Sequence, residues 1–554
     1  MKSFVDIMKT NLVVLIIISL VIFIFFGKLT ETFYQQDEWY VLGLVFAKVP
    51  LTTLSGVSSP LDFLLFKGRL LASFIFYLFA YYFPLQNVQL AIFAIVLHII
   101  ATFLVFILIR KFVRSFLFSL LGALFFAVNA VSHGAVTWSA IAISAVGSTV
   151  FVLIGLLFFF KYLADYKVKW LIFCGLMIYL SLWFKETGLY MFMFLPLSAL
   201  LLKRYSVISF FKTYWFFCLP FLFITTFRVA ELYLRHSTSN LYITGLNDNF
   251  FSTIIMRSVL YPLTSFSLIY IPGDQFLLFA RAVLRQIYPF FASASNNILI
   301  AQSVILDLLS VILTFIILIF IYLLWQKDRL ENKRFVIFWI VFSFMSFLPY
   351  VLLSKDFSYL ESRYYYLSVV GGAVLLSWVL KRLWDILGPK IFYIFVLPLI
   401  IVYLVFHGSV VYGAISEQVK LANLQKSFIS QLKILVPTLD NKKNVFYTTS
   451  DQNFWAEGNK LPFQQGSGYT LMVLYFDSGK IPKEFLKAQG RLEDGFLFGI
   501  GSQGYKEIND LGFGYFWDKG ELEKAIKLHN LTPDSIIRLQ YNSDENNLTK
   551  VGTN

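Results

Sequence analysis

The chain has 554 residues, of which 58% are hydrophobic and 14% are charged. This composition excludes a single ordinary soluble domain, because apolar runs of about 20 residues, long enough to cross a bilayer, recur along the chain. The net charge of +14 would suit nucleic-acid binding, but the basic residues stand in short clusters between apolar runs, as in cytoplasmic loops. The charge therefore indicates membrane topology, and no nucleic-acid partner is expected.

The first apolar run, Leu12 to Phe26, follows Lys2 and Lys9 in the layout of a secretory signal. No small-residue cleavage site comes after it, so the run is interpreted as a retained first span. Two adjacent carboxylates, Asp37 and Glu38, follow that span within the segment QQDEWY. Such a pair either begins a solvated loop or belongs to a functional site.

The basic clusters set the predicted orientation, because lysine and arginine collect in cytoplasmic loops. Six clusters are assigned to the cytoplasm: Lys2/Lys9, Arg110/Lys111/Arg114, Lys161/Lys167/Lys169, Lys203/Arg204/Lys212, Lys327/Arg329/Lys333/Arg334 and Lys381/Arg382/Lys390. An arrangement of about 11 spans keeps all six clusters on the cytoplasmic side of the membrane. The spans are residues 10–28, 87–109, 115–133, 140–161, 170–184, 188–203, 213–231, 297–326, 335–353, 364–380 and 391–412.

The apolar stretch from Ser59 to Phe83 is left out of the spans, because one more crossing would place Arg110, Lys111 and Arg114 outside. It is predicted to be an amphipathic or re-entrant helix on the outer face, opening near Pro60. The loop 231–296 is too long for a simple connector, and helices packed on the membrane surface are expected there.

The composition changes after His407, where apolar runs shorten and Gly, Asn, Asp and Lys become frequent. The predicted fold is therefore a polytopic α-helical membrane domain, 1–412, with outer loops 29–86 and 231–296, followed by a small extracytoplasmic α/β or α+β domain, 413–554. The predicted elements of that domain are helices at 415–435 and 521–529 and strands at 444–449, 469–475 and 535–541. No motif for chemistry is evident in it, and the two cysteines, Cys174 and Cys218, lie in apolar runs that support neither disulfides nor a metal site.

Three charged groups fall on the predicted outer face. They are Asp37/Glu38, Lys185/Glu186 and Asp356/Glu361/Arg363. Charges at a membrane boundary are costly and tend to be paired or to face a polar cavity. Their convergence is the main functional signal in the sequence.

Each group also has a structural interpretation. Lys185 and Glu186 either anchor the end of a span or act on a phosphate or acceptor group. Arg363 precedes three tyrosines, so it either anchors an aromatic belt or binds phosphate with its forked guanidinium. His133 and Trp138 lie in a tight outer turn, where a lone histidine is typically a hydrogen-bonded loop residue.

No motif requires a cofactor, and the five histidines are scattered, which is unlike a histidine metal site. A divalent cation held by Asp37 or Glu38 with phosphate oxygens is compatible with the sequence, because oxygen-only sites leave little trace.

Taken together, the outer Asp-Glu pair, the surface helix opening near a proline, the Lys185-Glu186 turn, the Glu361-Ser362-Arg363-Tyr364 segment and the outer C-terminal domain resemble the GT-C glycosyltransferases. The layout is similar to that of protein O-mannosyltransferases and bacterial lipid A aminoarabinose transferases, and it covers most of residues 1–411. The segment Ser59-Pro60-Leu61-Asp62 departs from the Pro-Pro pair that usually opens the surface helix.

The resemblance implies an inverting transfer of a sugar, a hexose such as mannose, from a polyprenyl-phosphate carrier to a protein, lipid or glycan acceptor on the outer side of the plasma membrane. Asp37, with Glu38 beside it, would be the base or acceptor-positioning group. Arg363 and Lys185 would hold the phosphate, with Glu186, Glu361, His133 and Trp138 in supporting or acceptor positions.

Three alternatives stay open. One is a polymerase or ligase of lipid-linked glycans, one is a membrane transporter or lipid flippase, and one is a scaffold that binds a partner through its outer domain. Transporters tend to have related halves and Gly/Pro-broken spans, whereas the predicted spans here are largely uninterrupted.

Overall fold

The computed structural model describes residues 2–57, 59–66, 68–202, 207–235, 250–287, 295–326, 328–353, 360–454, 458, 460–487 and 495–552. Residues 2–202 form eleven of the described helices: α1 (Lys2–Phe26), α2 (Gln36–Phe46), α3 (Leu51–Leu54), α4 (Pro60–Leu64), α5 (Leu70–Tyr82), α6 (Val88–Val113), α7 (Phe116–Ala127), α8 (Gly134–Thr137), α9 (Ser139–Asp165), α10 (Val168–Phe184) and α11 (Met191–Leu202).

Seven further helices follow before the first strand: α12 (Val207–Arg235), α13 (Phe250–Leu268), α14 (Gly273–Ile287), α15 (Ser295–Gln326), α16 (Leu330–Met345), α17 (Tyr366–Ile391) and α18 (Leu397–Leu435). The C-terminal residues then alternate between strands and helices: β1 (Lys443–Ser450), α19 (Ser467–Leu474), α20 (Lys483–Leu486), β2 (Gly504–Ile508), β3 (Leu511–Phe516), α21 (Lys519–His529), β4 (Ile536–Asn542) and β5 (Asn547–Lys550).

The chain divides into two compact units. The first, called here the helical unit, comprises residues 1–27, 61–72 and 93–412. The second, the mixed unit, comprises residues 28–60, 73–92 and 413–554. The segment that follows the first helix therefore belongs with the C-terminal residues and not with the helical bundle.

Six described stretches are long and apolar enough to cross a membrane: Thr10–Glu31, Val88–Val113, Ser139–Asp165, Gln302–Gln326, Asn332–Tyr350 and Tyr366–Leu435. The last of these holds both α17 and α18. The pair α13 and α14, bent by 99°, raises the number to seven if it is one broken span, and four shorter apolar helices accompany them. These helices indicate a membrane protein, and the prediction of about 11 spans stays a prediction.

The helical unit has two distinct ends. Helix α9 has 27 residues, so its termini are about 40 Å apart at 1.5 Å per residue. Near its last residue, Asp165, lies Lys111, and Phe112 stacks on Phe335 with ring centroids 4.0 Å apart. The basic clusters around residues 111, 161 and 333 thus lie at one end of the helical unit, as expected if all of them face the cytoplasm.

Helices α13 and α14 meet at a sharp break held by buried polar side chains. Asn129 donates from Nδ2 to the carbonyl of Ile269 (3.0 Å), and its Oδ1 accepts from the amides of Val131 (3.0 Å) and Ser132 (3.1 Å). His407 accepts from the Ala130 amide at Nδ1 (3.0 Å), so its Nε2 carries the proton that faces the Tyr270 carbonyl, 3.1 Å away. The break is therefore built into the bundle, since its freed carbonyls are satisfied.

The mixed unit contains a five-stranded sheet in the order β2-β3-β1-β4-β5. The three central strands are parallel, and each edge strand is antiparallel to its neighbour. On one face of the sheet Val445, Phe516 and Ile536 pack against Leu522 and Ala525 of α21. On the other face α19 approaches β3 closely through Gly468, where a Cβ would meet that of Tyr515. Helices on both faces make this an α/β unit.

Four of the five predicted C-terminal elements are present, although the helix predicted at 415–435 is the end of α18 and not a separate helix. The strand at 444–449 is β1, the helix at 521–529 is α21 and the strand at 535–541 is β4. The strand predicted at 469–475 is wrong, because these residues belong to the helix α19 and its C-cap. The helix is buried at every position, and a short, wholly buried apolar run shows no periodicity that separates helix from strand.

The single helix predicted from Ser59 to Phe83 is also wrong, because the chain forms two helices there, α4 and α5. Phe66 adopts a left-handed conformation with a φ of 50°, which interrupts the α-helix. Its ring packs on Trp183, with centroids 4.8 Å apart, and this contact holds the strained residue in place. The helices expected within 231–296 are present as α13 and α14. Because α13 packs along α15 and α16 and the pair is apolar enough to be one broken span, their packing on the membrane surface is not confirmed.

Candidate functional site

The end of the helical unit opposite the basic clusters is formed by short turns between helices. Three single-turn 3₁₀ segments meet there, Glu186–Tyr190, Leu348–Tyr350 and Ser362–Tyr364, together with the short helix α8. The Ser362 side chain packs so closely on Gly134 that a Cβ there would lie 2.0 Å from Ser362 Oγ. Glycine at position 134 is what lets the Glu361–Tyr364 segment approach α8.

The Lys185–Glu186 turn is fixed from both sides. Lys185 is extended, with φ −162° and ψ 144°, and ends α10. Ser148 of α9 donates to the Lys185 carbonyl at 3.4 Å and contacts the Thr187 hydroxyl at 3.3 Å. Gly188 packs on Ser181 at a distance that leaves no room for a Cβ. Backbone anchoring therefore sets where the two charged side chains project.

Glu186 forms a bidentate ion pair with Arg69, which immediately precedes α5. Arg69 Nη2 lies 2.9 Å from Oε1 and Nε lies 3.3 Å from Oε2. The two side chains keep 42% and 52% of their surface accessible, so the pair is open to solvent on one side. Burial alone would raise the pKa of Glu186, but Arg69 and Lys185 together lower it to about 2. Glu186 is thus an ionised carboxylate that orients Arg69, and it is unsuited to donating a proton at neutral pH.

Lys185 is the buried cation of the cluster, with 2% of its surface exposed. Its ammonium lies 5.3 Å from the centroid of the Tyr364 ring. The two ion pairs described at this site, Arg69–Glu186 and Arg363–Glu361, do not include Lys185. Burial, followed by repulsion from Arg69, lowers the pKa of Lys185 to about 7, and Glu186 opposes this shift.

Arg363 lies between two aromatic rings. Its guanidinium carbon is 5.1 Å from the ring centroids of both Trp138 and Tyr364. Its Nε lies 2.6 Å from Oε2 of Glu361, whose side chain is 59% exposed, whereas that of Arg363 is only 14% exposed. The rings and the carboxylate fix the fork in one orientation, which suits binding of a planar or tetrahedral anion.

We call these residues the charged site: Arg69, Trp138, Lys185, Glu186, Glu361, Arg363 and Tyr364. Tyr350 borders it, with its ring centroid 4.5 Å from that of Tyr364. Three cations face two carboxylates among these residues, so the site carries one excess positive charge. A monoanion such as a phosphodiester would neutralise it.

His133 belongs to a separate small recess of the helical unit, lined also by Asp274, Ser362 and Tyr365. Its Nδ1 lies 3.3 Å from the Thr137 hydroxyl. Burial lowers the pKa of His133 to about 4, although Asp274 opposes the shift. His133 is therefore neutral near pH 7, and the recess borders the charged site at Ser362.

The two acidic residues of the first loop lie in the mixed unit. Glu38 is buried, and its Oε2 accepts from the Gln35 amide at 2.7 Å, so it caps the N-terminus of α2. This contact gives Glu38 a structural role. The backbone of Asp37 lies in α2, but its side chain and the whole of Asp356 lie outside the described residues.

The structure brings together five of the predicted site residues, namely Trp138, Lys185, Glu186, Glu361 and Arg363. It also adds Arg69, which no motif in the sequence indicated as a site residue. The only sequence feature that could have indicated Arg69 was the presence of an arginine beside a glycine within an apolar stretch. Within the described part of the chain, no group of three or more His, Cys, Asp or Glu residues could hold a metal ion.

In comparisons with known proteins, no protein-family model matches the chain, and no curated protein matches it.

Proposed function

We propose that this protein is a membrane glycosyltransferase that takes a sugar from a polyprenyl-phosphate carrier and transfers it to an acceptor on the extracytoplasmic face. The observation that carries the proposal is the buried side chain of Lys185, which belongs to neither described ion pair of the site and is repelled by Arg69 and Arg363, although Glu186 and Glu361 attract it. Such a cation is costly in an apolar protein unless an anion joins it. The phosphodiester of a lipid-linked sugar has the matching charge.

Each charged residue has a distinct role in this proposal. Lys185 and Arg363 bind the phosphate oxygens and stabilise the negative charge that grows on them as the glycosidic bond breaks. Glu186 orients Arg69 through its two hydrogen bonds. Trp138 and Tyr364 hold the Arg363 fork between their faces.

The acceptor-side base is proposed to be Asp37, on the resemblance to GT-C glycosyltransferases and because Glu38 is committed to capping α2. Direct displacement on the sugar carbon inverts its configuration. The bond from carbon to phosphate oxygen breaks as the bond to the acceptor oxygen forms, and Asp37 takes the acceptor proton.

The test is incubation of the purified full-length protein with a panel of polyprenyl-phosphate hexoses, followed by measurement of polyprenyl phosphate release and of sugar on added acceptors. Lys185→Met and Arg363→Met should each abolish donor turnover. Lys524→Met is the control, because Lys524 is an exposed lysine paired with Glu521 in α21. Release of no carrier from any donor by the wild-type protein would contradict the proposal.

The broken helix pair α13–α14 favours a second candidate, a lipid flippase or transporter, because broken helices at membrane depth are typical of transporters. This function predicts movement of a lipid-linked sugar between leaflets of a vesicle without loss of the sugar. A flippase would leave the sugar–phosphate bond intact, so product analysis separates the two candidates. A glycan polymerase or ligase would instead turn over only donors that carry an oligosaccharide.

A further inference from the structure

The helix that bears Asp37 is a core element of the mixed unit. In α2, Trp39 and Leu42 are fully buried, and Leu44 and Val45 are nearly so. Burial of such apolar side chains stabilises the position of the helix. A helix buried around most of its circumference is held by what surrounds it, and here the surroundings come largely from residues 413–554.

Aromatic contacts join α2 and its flanks to the C-terminal residues at three places. Trp39 meets Phe463 edge-on, with ring centroids 5.7 Å apart. Tyr40 meets Phe498 at 5.1 Å, and at the other end of the helix Phe46 stacks on Phe476 at 6.3 Å. These contacts cover the length of α2, so the helix cannot rotate or slide without breaking them.

Hydrogen bonds add two further points of attachment. The Lys426 ammonium donates to the Glu31 carbonyl at 2.6 Å, ahead of the helix. The fully buried Tyr469 hydroxyl lies 3.4 Å from the Tyr40 carbonyl and 3.2 Å from the Leu486 carbonyl. Tyr469 therefore joins α2 to both α19 and α20.

The closest approach is at Gly43. A Cβ at this position would lie 2.4 Å from Tyr469 Oη, 3.1 Å from Tyr469 Cζ and 3.2 Å from Val473 Cγ2. The first distance is far below van der Waals contact, whereas the other two are only tight. The hydroxyl oxygen of Tyr469 is thus the main obstacle to a larger residue at position 43, and without it the neighbours need to shift by only a few tenths of an ångström.

From these contacts we propose that residues 413–554 are a scaffold that fixes α2, and that Tyr469 is the positioning residue that sets where the helix presents Asp37. The catalytic consequence rests on the proposed transferase function, whereas the docking of α2 does not. The C-terminal residues would then be needed for transfer to the acceptor even if they touch neither substrate.

The contact allows a test by substitution and rescue in the full-length protein. Gly43→Ala should push α2 away from α19, whereas Tyr469→Phe removes the blocking oxygen and keeps the ring. The double variant should therefore recover what Gly43→Ala loses. Gly413→Ala is the matched control, because a Cβ there meets nothing within 4 Å.

Two measurements separate docking from catalysis. Hydrogen exchange of the α2 amides should rise in Gly43→Ala and return in the double variant towards its rate in Tyr469→Phe. Transfer to the acceptor should fall in Gly43→Ala by at least about tenfold in kcat, with the KM for the donor unchanged, since small misplacements of a catalytic group are costly. The kcat of the double variant should recover to that of Tyr469→Phe.

Unchanged exchange in Gly43→Ala, or no recovery in the double variant, would overturn the scaffold. Raised exchange with normal transfer would overturn the positioning role and leave α2 as packing only. If the wild-type protein turns over no donor, the proposed function fails, and the exchange measurement still decides whether residues 413–554 hold α2.

Discussion

At the scale of single residues, Lys185 makes donor binding sensitive to pH. Its pKa is about 7 in the free protein because of burial and the neighbouring guanidiniums. A bound phosphodiester would raise that pKa, so affinity should be highest below pH 7 and fall as the pH rises, by at most about tenfold per pH unit. Binding of a polyprenyl-phosphate hexose measured from pH 6 to 9 would show this slope. Lys185→Arg should bind without the slope, and an equal slope in that variant would assign the titration to another group.

Glu186 should also affect the pH at which Lys185 loses its proton. Its carboxylate raises the pKa of Lys185, so Glu186→Gln should move the midpoint of the binding curve below pH 7. Glu361→Gln is the matched control, because Glu361 contributes least among the charges that act on Lys185. A midpoint that moves as far in the control as in Glu186→Gln would show that the Arg69–Glu186 pair has no special influence on Lys185.

At the scale of elements, the α13–α14 break should depend on Asn129. Asn129→Leu removes three hydrogen bonds and leaves the Ile269 carbonyl and two amides buried without a partner. Each unsatisfied group costs about 1–3 kcal/mol, so the thermal midpoint in detergent should fall by several degrees. Asn547→Leu, on the exposed side of the edge strand β5, should leave the midpoint unchanged. Equal midpoints for the two variants would mean that the break is held by other contacts.

The elements also show how far the sequence could predict the fold. Helices with long apolar runs, such as α9 and α15, were predictable because length and hydropathy are local properties. The strand predicted at 469–475 became α19 because a segment buried on all sides carries no periodic signal. The Arg69–Glu186 pair joins residues 117 positions apart, and no local pattern encodes such a contact.

At the scale of the whole molecule, the assignment of the basic clusters to one side of the membrane was enough to predict that most of the charged site lies at the opposite end. It placed Lys185, Glu361 and Trp138 at the same end, and the structure brings these residues together through contacts with Tyr364 and Arg363. The arrangement of the first loop could not be predicted in this way. The packing of α2 with residues 413–554 depends on tertiary contacts such as that of Trp39 with Phe463.

The two ends of the helical unit should face opposite sides of the membrane. Glu361 at the charged site and Asp165 at the basic end both have exposed side chains, and α9 separates the two ends by about 40 Å, which exceeds the hydrocarbon thickness of a bilayer. In a background with Cys174 and Cys218 replaced, Glu361→Cys should react with a membrane-impermeant maleimide on intact cells. Asp165→Cys should react only after permeabilisation, because the adjacent lysines favour the cytoplasm. Labelling of Glu361→Cys only after permeabilisation would place the charged site on the cytoplasmic side, where no extracytoplasmic acceptor could reach it, and would contradict the transferase proposal.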